Sequence, residues 1–485
     1  MTSDPSPFGD MDPEEFRRQA HRLTDWIADY LTDASRYPVL AQIAPGTITS
    51  ALPSQAPARG ESFDNIFADF EKILVPGITH WNHPGFFAYF AITGSAPGVL
   101  AEFLSAALNV QAMLWRTSPA ATELEEVTLG WLRTLLGLPS TFEGVIYDTA
   151  SISTLHALAA ARERAVPATK SLGLAGRATV PRMRVYCSDQ AHSSIDKAVI
   201  LLGLGQESVR KIESDTEFRM RPDALMRAIV EDRSRDWLPL AVVATVGTTS
   251  STSIDPVRAA AELCRRESIW LHVDAAYAGV AAMVPGYEWI LDGAAEADSL
   301  VVNPHKWMFT PFDLSILYSR HMEVIRAAFA LTPEYLKTIE AAPVRNLMDT
   351  GIQLGRRFRA LKLWMVMRHF GADGLRARLA EHMRLAQLFA SWVDASAEFE
   401  RLAPVPFSVV CFRANPGLTI AEADVLNERL LESVNATGEI FISHTRLNSR
   451  YTLRLAIGNL HTTETHVRRA WELLREKLST LRRNG

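Results

Sequence analysis

The chain has 485 residues, 48% hydrophobic and 22% charged, with a formal net charge of -5. A chain of that size can bury a large core divided over two or three units, and the mildly negative balance, without a run of lysines and arginines interleaved with aromatics, argues against nucleic acid as a partner. Three dispersed cysteines (Cys187, Cys264, Cys411), the lack of a basic-then-apolar leader and the lack of an apolar run of about 18 residues lead us to expect a cytoplasmic protein without a disulfide framework or a membrane span.

In chain order, residues 12–34 carry a helical pattern. Asp12 can cap it, Pro13 suits the first helical position and Glu15 can serve as the capping-box acid. Its apolar stripe (Phe16, Ala20, Leu23, Ile27, Tyr30, Leu31) must pack on something, either elsewhere in this fold or on another subunit. A proline-bearing stretch follows, and residues 1–94 read as an N-terminal helical segment. His80 with His83, and His461 with His466, lack a third ligand at zinc-site spacing and read as structural, so no metal is expected.

Residues 95–371 alternate helical segments with short apolar runs rich in β-branched residues. The runs at 144–147, 183–187, 240–245, 269–273, 299–302 and 314–318 predict strands, and the alternation predicts a mostly parallel sheet flanked by helices. Residues 372–485 change character. Helical patterns at 372–395, 421–435 and 463–482 frame apolar runs at 408–412 and 451–457, which reads as a smaller α+β domain. The basic cluster Arg356, Arg357, Arg359 and Lys362 reads as a solvated or interface face.

Polar residues follow several predicted strands, at the sheet edge where α/β folds bind ligands. After 144–147 come Asp148-Thr149-Ala150-Ser151, opening a helix whose free N-H groups and dipole suit an anion, although simple N-capping would use the same residues. No GxGxxG or Walker lysine is present, which weakens a nucleotide reading. After 183–187, His192 stands where a flat imidazole could stack on a ring, and Gly247-Thr248-Thr249 closes the run 240–245. Asp274 lies in Trp-Leu-His-Val-Asp-Ala-Ala-Tyr (270–277), and Lys306 lies in Val-Val-Asn-Pro-His-Lys-Trp (301–307). Either alone is ordinary, a solvated lysine or a capping aspartate. Together they are what pyridoxal phosphate (PLP) requires, a Schiff-base lysine and an acid that keeps the ring nitrogen protonated.

Further runs sharpen this: His80-Trp81 with Phe86 to Phe90, Ser118 to Glu125, Asp189 to Ser194, His272 to Gly279, Asn303 to Trp307 and Leu354 to Arg359. In these runs, spread over roughly residues 12–480, the chain resembles the group II PLP-dependent decarboxylases, and within them the aromatic-L-amino-acid decarboxylases. The resemblance implies the PLP-dependent transferase fold (fold type I), with a mostly parallel seven-stranded sheet, and a homodimer with shared active sites, the N-terminal segment packing on the partner subunit. It implies that Lys306 forms the Schiff base, Asp274 pairs with the ring nitrogen, Ala276 packs under the ring and His192 stacks above it. Ala150, Ser151, Thr249, Asn303 and His305 would surround the phosphate or the ring substituents, and Leu354 and Gly355 would reach the neighbouring subunit's cofactor. Trp81, Tyr89, Phe90, Ile92, Gln111, Met113 and His192 would hold the substrate, the two residues Gln111 and Met113 contributing across the dimer.

The segment Leu331 to Lys337 resembles the family's catalytic loop, whose tyrosine, here Tyr335, delivers a proton to Cα. Relatives that form aldehydes commonly replace that tyrosine or the stacking histidine; both are retained here, which favours simple decarboxylation. An oxidative aldehyde synthase and a decarboxylase of another amino acid such as glutamate are the alternatives, and an aminotransferase or an idle cofactor-binding homologue lies further off. The chain departs from the animal enzymes at Ala91-Ile92, Gln111, Met113 and Asp148. Asp148 is expected to point away from the phosphate or to cap a neighbouring group, because like charges so close cost stability.

Overall fold

The structure is a computed structural model describing residues 9–331, 344–415 and 417–483. A short strand β1 (Phe86–Phe87) precedes seven strands of a central sheet: β2 (Glu143–Tyr147), β3 (Arg182–Ser188), β4 (Val209–Ile212), β5 (Trp237–Thr245), β6 (Trp270–Asp274), β7 (Ser299–Val302) and β8 (Ser315–Ser319). Their order is β2-β8-β7-β6-β5-β3-β4. Only β8 runs against its neighbours, β2 and β7, so the sheet is mostly parallel as expected. Consecutive residues split between two apolar layers: Ile146, Val242 and Val273 enter one, Val145, Val243 and Val185 the other. A sheet covered by helices on both faces produces this pattern.

All six anticipated runs are strands of this sheet. The addition is β4, whose sequence Val-Arg-Lys-Ile holds two charges and pairs along one side only, with β3.

A second sheet contains β9 (Phe399–Arg401), β10 (Val409–Ala414), β11 (Phe441–Leu447) and β12 (Arg450–Ala456), in the order β1-β11-β12-β10-β9. Its fifth strand comes from the N-terminal segment, since Phe86 and Phe87 pair in parallel with Phe441 and Ile442. The Val39 N-H also donates to the Gly438 carbonyl at 2.9 Å. The aromatic residues after β1 are therefore anchored to the C-terminal unit of the same chain. The long helix Ala360–Asp394 joins the two units and breaks at Gly371, whose φ of +63° is left-handed backbone that suits glycine.

The N-terminal helix spans Pro13–Thr32, and the Asp12 carboxylate accepts the N-H groups of Glu14 and Glu15. Glu15 does not complete a capping box; its carboxylate instead accepts from Arg18 and Gln19. The stripe of this helix is only half covered within one chain, and Phe16 is exposed.

Candidate active site

Because β2, β3, β5, β6 and β7 run in one direction, their carboxyl ends open on one edge of the sheet. A cavity of about 340 Å³ lies there. It is lined by Trp81, Tyr89, Phe90, Ile92, Ala150, Ser151, His192, Thr249, Asp274, Ala276, Asn303, His305 and Lys306, thirteen of the residues picked out in the sequence. Strand direction is the cause: residues scattered from 150 to 306 converge because each follows a parallel strand.

Lys306 lies in the short helix Pro304–Trp307 after β7, its N-H donating to the Asn303 carbonyl at 2.9 Å. Its Nζ is 5.2 Å from the centre of the Phe90 ring and makes no ion pair among the described residues. Burial pushes the ammonium pKa down, and the Asp274 carboxylate partly opposes this. Asp274 ends β6, buried between its register partners Thr245 of β5 and Val301 of β7. Its Oδ1 accepts the Ala276 N-H at 3.1 Å, which turns the chain sharply under the strand end.

Two imidazoles face the cavity in defined tautomers. His192 Nδ1 accepts the Ser194 N-H at 3.1 Å and His305 Nδ1 accepts the Leu314 N-H at 2.7 Å, so in each neutral ring the proton sits on Nε2. Burial pushes both pKa values down, that of His305 to about 3, and Lys306 adds to the effect in each; Asp274 works against it at His192. Both rings are neutral donors near pH 7.

Two buried cavity oxygens, Asn303 Oδ1 and Thr245 Oγ1, have no hydrogen-bond partner among the described residues. Such orphans cost about 1–3 kcal/mol each unless a ligand satisfies them. In the same lining, Ala150 and Ser151 open the helix Ala150–Ala165, whose first N-H groups have no intrahelical acceptor. Asp148 caps its neighbour, as expected. Its Oδ1 takes the Thr149 N-H at 2.5 Å and its Oδ2 takes the Gln353 amide at 3.3 Å.

The remaining wall is aromatic. Phe90 stacks on Tyr277 at 3.8 Å between centroids, and Tyr277 stacks on Trp307 at 5.0 Å. Trp81 and Tyr89 stack at 5.9 Å beside them. Gly247 closes the turn under Tyr277 with a φ of +88°, and a Cβ there would come within 2.6 Å of the Ala278 side chain.

Four candidates lie outside the lining of this cavity. Gln111 Oε1 accepts the Arg356 N-H at 2.7 Å, a Cβ at Gly355 would meet the Gln111 amide at 3.2 Å, and Leu354 is exposed. Met113 packs on Leu114 and Met348. Tyr335 falls outside the described residues. Thr245, Tyr277 and Phe312 line the cavity without being among the sequence candidates. Tyr277 could have been found, three residues beyond Asp274, whereas Phe312 sits in a loop without a pattern.

A largely enclosed lysine and a carboxylate at neighbouring strand ends, orphaned polar atoms in the same lining and a helix N-terminus together fit PLP. The class of protein that this fold and these residues suit is a fold type I PLP enzyme. A family model described as "Pyridoxal-dependent decarboxylase conserved domain" matches residues 45–415. The chain belongs to this family and is a PLP-dependent amino-acid decarboxylase. It is 40% identical to "Tyrosine decarboxylase 3" of Petroselinum crispum, covering 99% of this chain and 95% of that one. It is also 40% identical to "Phenylacetaldehyde synthase" of Arabidopsis thaliana, covering 97% of each. A crystal structure of Oryza sativa TDC with PLP and tryptamine superposes with a TM-score of 0.94 at 36% identity, covering 98% of this chain and 99% of that one. Among the described residues no helix is long and apolar enough to cross a membrane.

Proposed function

We propose that this enzyme removes the α-carboxylate of aromatic L-amino acids (tryptophan, tyrosine, phenylalanine or dihydroxyphenylalanine), releasing the arylalkylamine and carbon dioxide. The observation that carries the substrate class is the wall formed by Trp81, Tyr89, Phe90 and Ile92 over the Lys306 end of the cavity, a surface suited to a planar apolar ring. Bound PLP supplies the electron sink for the pair left when the bond from Cα to the carboxylate breaks.

Lys306 is the group that bonds the cofactor, and its lowered pKa favours the free amine, the nucleophilic form. Asp274 would hold a proton on the pyridine nitrogen, because a buried carboxylate stabilises a neighbouring cation. Ala276 and His192 would enclose the ring, and Ala150, Ser151, Thr249, Asn303 and His305 would hold the phosphate and ring substituents. The Nε2-H of His192 can also donate to the substrate carboxylate. Tyr335 is proposed to return a proton to Cα. Retention of Tyr335 and His192 favours amine over aldehyde as the product.

We also place the enzyme in the cytoplasm as a homodimer with shared sites. Leu100, Phe103 and Leu108 on the helix Ala96–Leu108 are exposed, as is Phe16, and Gln111, Met113, Leu354 and Gly355 stand clear of this chain's own cavity. Three buried free cysteines suit a reducing compartment. Product analysis on tryptophan, tyrosine, phenylalanine, dihydroxyphenylalanine and glutamate tests the substrate class. Amine from at least one aromatic amino acid is expected; activity on glutamate alone would overturn it.

A further inference from the structure

Arg454 is in the middle of β12 and only 4% exposed, yet it forms no ion pair among the described residues. A buried guanidinium is costly unless its donors are satisfied, so the groups that satisfy them are informative. Nε donates to the Ser250 carbonyl at 2.8 Å and Nη2 to the Thr249 carbonyl at 2.9 Å. Nη1 donates to Ser443 Oγ at 3.2 Å. The same Ser443 oxygen accepts the Tyr89 N-H at 3.3 Å, and the guanidinium carbon is 5.5 Å from the centre of the Phe90 ring.

These contacts end on two separate walls of the cavity. Thr249 belongs to the turn after β5; Tyr89 and Phe90 belong to the aromatic wall. Tyr89 has a left-handed φ of +53°, a conformation a bulky residue holds only when its surroundings fix it. Cys411 and Thr445 from the same sheet also hold Ser250, at 3.2 Å to its carbonyl and 2.8 Å to its hydroxyl.

We propose that Arg454 is a positioning residue whose planar fork, with Ser443 as its relay, fixes the Thr249–Ser250 turn and the Tyr89–Phe90 segment relative to each other. One side chain of the C-terminal unit then sets the cofactor wall directly and the substrate wall through Ser443. The fork matters beyond the charge, because two adjacent carbonyls and a hydroxyl need donors in three fixed directions, which a lysine ammonium on a flexible stem does not supply. The proposal rests on the cavity being the PLP site.

The test uses full-length holoenzyme and the variants Arg454→Met, Arg454→Lys and Ser443→Ala, with circular dichroism to monitor folding. Equilibrium dialysis gives the PLP dissociation constant, and steady-state kinetics on an accepted aromatic amino acid give KM and kcat. Arg454→Met should raise both the PLP Kd and KM by about tenfold or more, and Arg454→Lys should restore neither. Ser443→Ala should raise KM by about fivefold while leaving the PLP Kd within about twofold of wild type, a split that general loosening of the fold would not produce. A wild-type PLP Kd in Arg454→Met, recovery of both constants in Arg454→Lys, or an unchanged KM in Ser443→Ala would each overturn the proposal. If Arg454→Met fails to fold, Ser443→Ala decides alone. Failure of the wild-type protein to retain PLP would instead overturn the cofactor reading itself.

Discussion

Phe90 and Tyr277 lie face to face, 14° from parallel with centroids 3.8 Å apart, joining the aromatic wall after β1 to the turn after β6. Trp307, next to Lys306 in sequence, continues the stack. The Tyr277 hydroxyl is fixed against Ser408 Oγ at 2.5 Å in the C-terminal unit. The stack thus ties both flanks of the lysine to the substrate wall. Phe90→Ala should destabilise the protein by about 2–3 kcal/mol, below the cost of a fully buried phenylalanine because Phe90 is half-buried, and should raise KM more than it lowers kcat. Denaturant unfolding and steady-state kinetics check both parts.

Asp274→Asn removes the charge at the end of β6 while keeping the shape. A contact ion pair in a protein site is worth about 4 kcal/mol, so kcat should fall by about 10²–10³ with a much smaller change in KM. Stopped-flow turnover measurements would show it; a change under tenfold would remove Asp274 from the role proposed.

Tyr335→Phe keeps the ring and deletes the proton. Amine formation should fall by about 10²-fold or more, and in aerated buffer, with dissolved oxygen as the two-electron oxidant and water as co-reactant, flux should divert to aldehyde, carbon dioxide, ammonia and hydrogen peroxide. Product analysis by mass spectrometry with a peroxide assay reads this, and an unchanged product ratio would take Tyr335 out of proton delivery.

Acid should unfold the protein through its buried imidazoles. Burial holds His156 and His305 at about 3 and His83, His272 and His382 at about 4. In the unfolded chain each titrates near 6.5, so below that pH the unfolded state takes up protons that the native state refuses. Each site then subtracts up to about 1.4 kcal/mol per pH unit until its folded value is reached. Asp255 opposes them, since burial raises its carboxyl to about 7 and the folded state gains from its proton as pH falls. One group against five leaves a net loss. The Tm should be nearly flat between pH 7 and about 8 and fall steadily from pH 6.5 to 4.

The parallel strands and the site were legible together because they share a cause. A strand buried on both faces is mostly apolar, so the polar residue that ends it stands out, as Asp274 does after Trp-Leu-His-Val and Asn303 after Ser-Leu-Val-Val. β4 escaped notice because a strand paired on one side tolerates Arg210 and Lys211. Phe312 reaches the cavity from a loop, where no period marks it. Arg454 was hidden for a different reason: in Tyr-Thr-Leu-Arg-Leu-Ala it takes the alternate place normally left to solvent, and the packing of β12 against the 249–250 turn and Phe90 buries it. The attachment of β1 to the C-terminal sheet was equally invisible, since two residues cannot announce a partner more than 350 positions away.

The central claim is that Lys306 is the residue that bonds PLP. Reducing the PLP-loaded protein with borohydride and mapping the pyridoxyl-labelled peptide by mass spectrometry tests it most directly. The label should fall on Lys306 within Asn-Pro-His-Lys-Trp, and Lys306→Ala should lose both the label and turnover. A stoichiometric label on any other lysine, or decarboxylation retained by Lys306→Ala, would contradict the account.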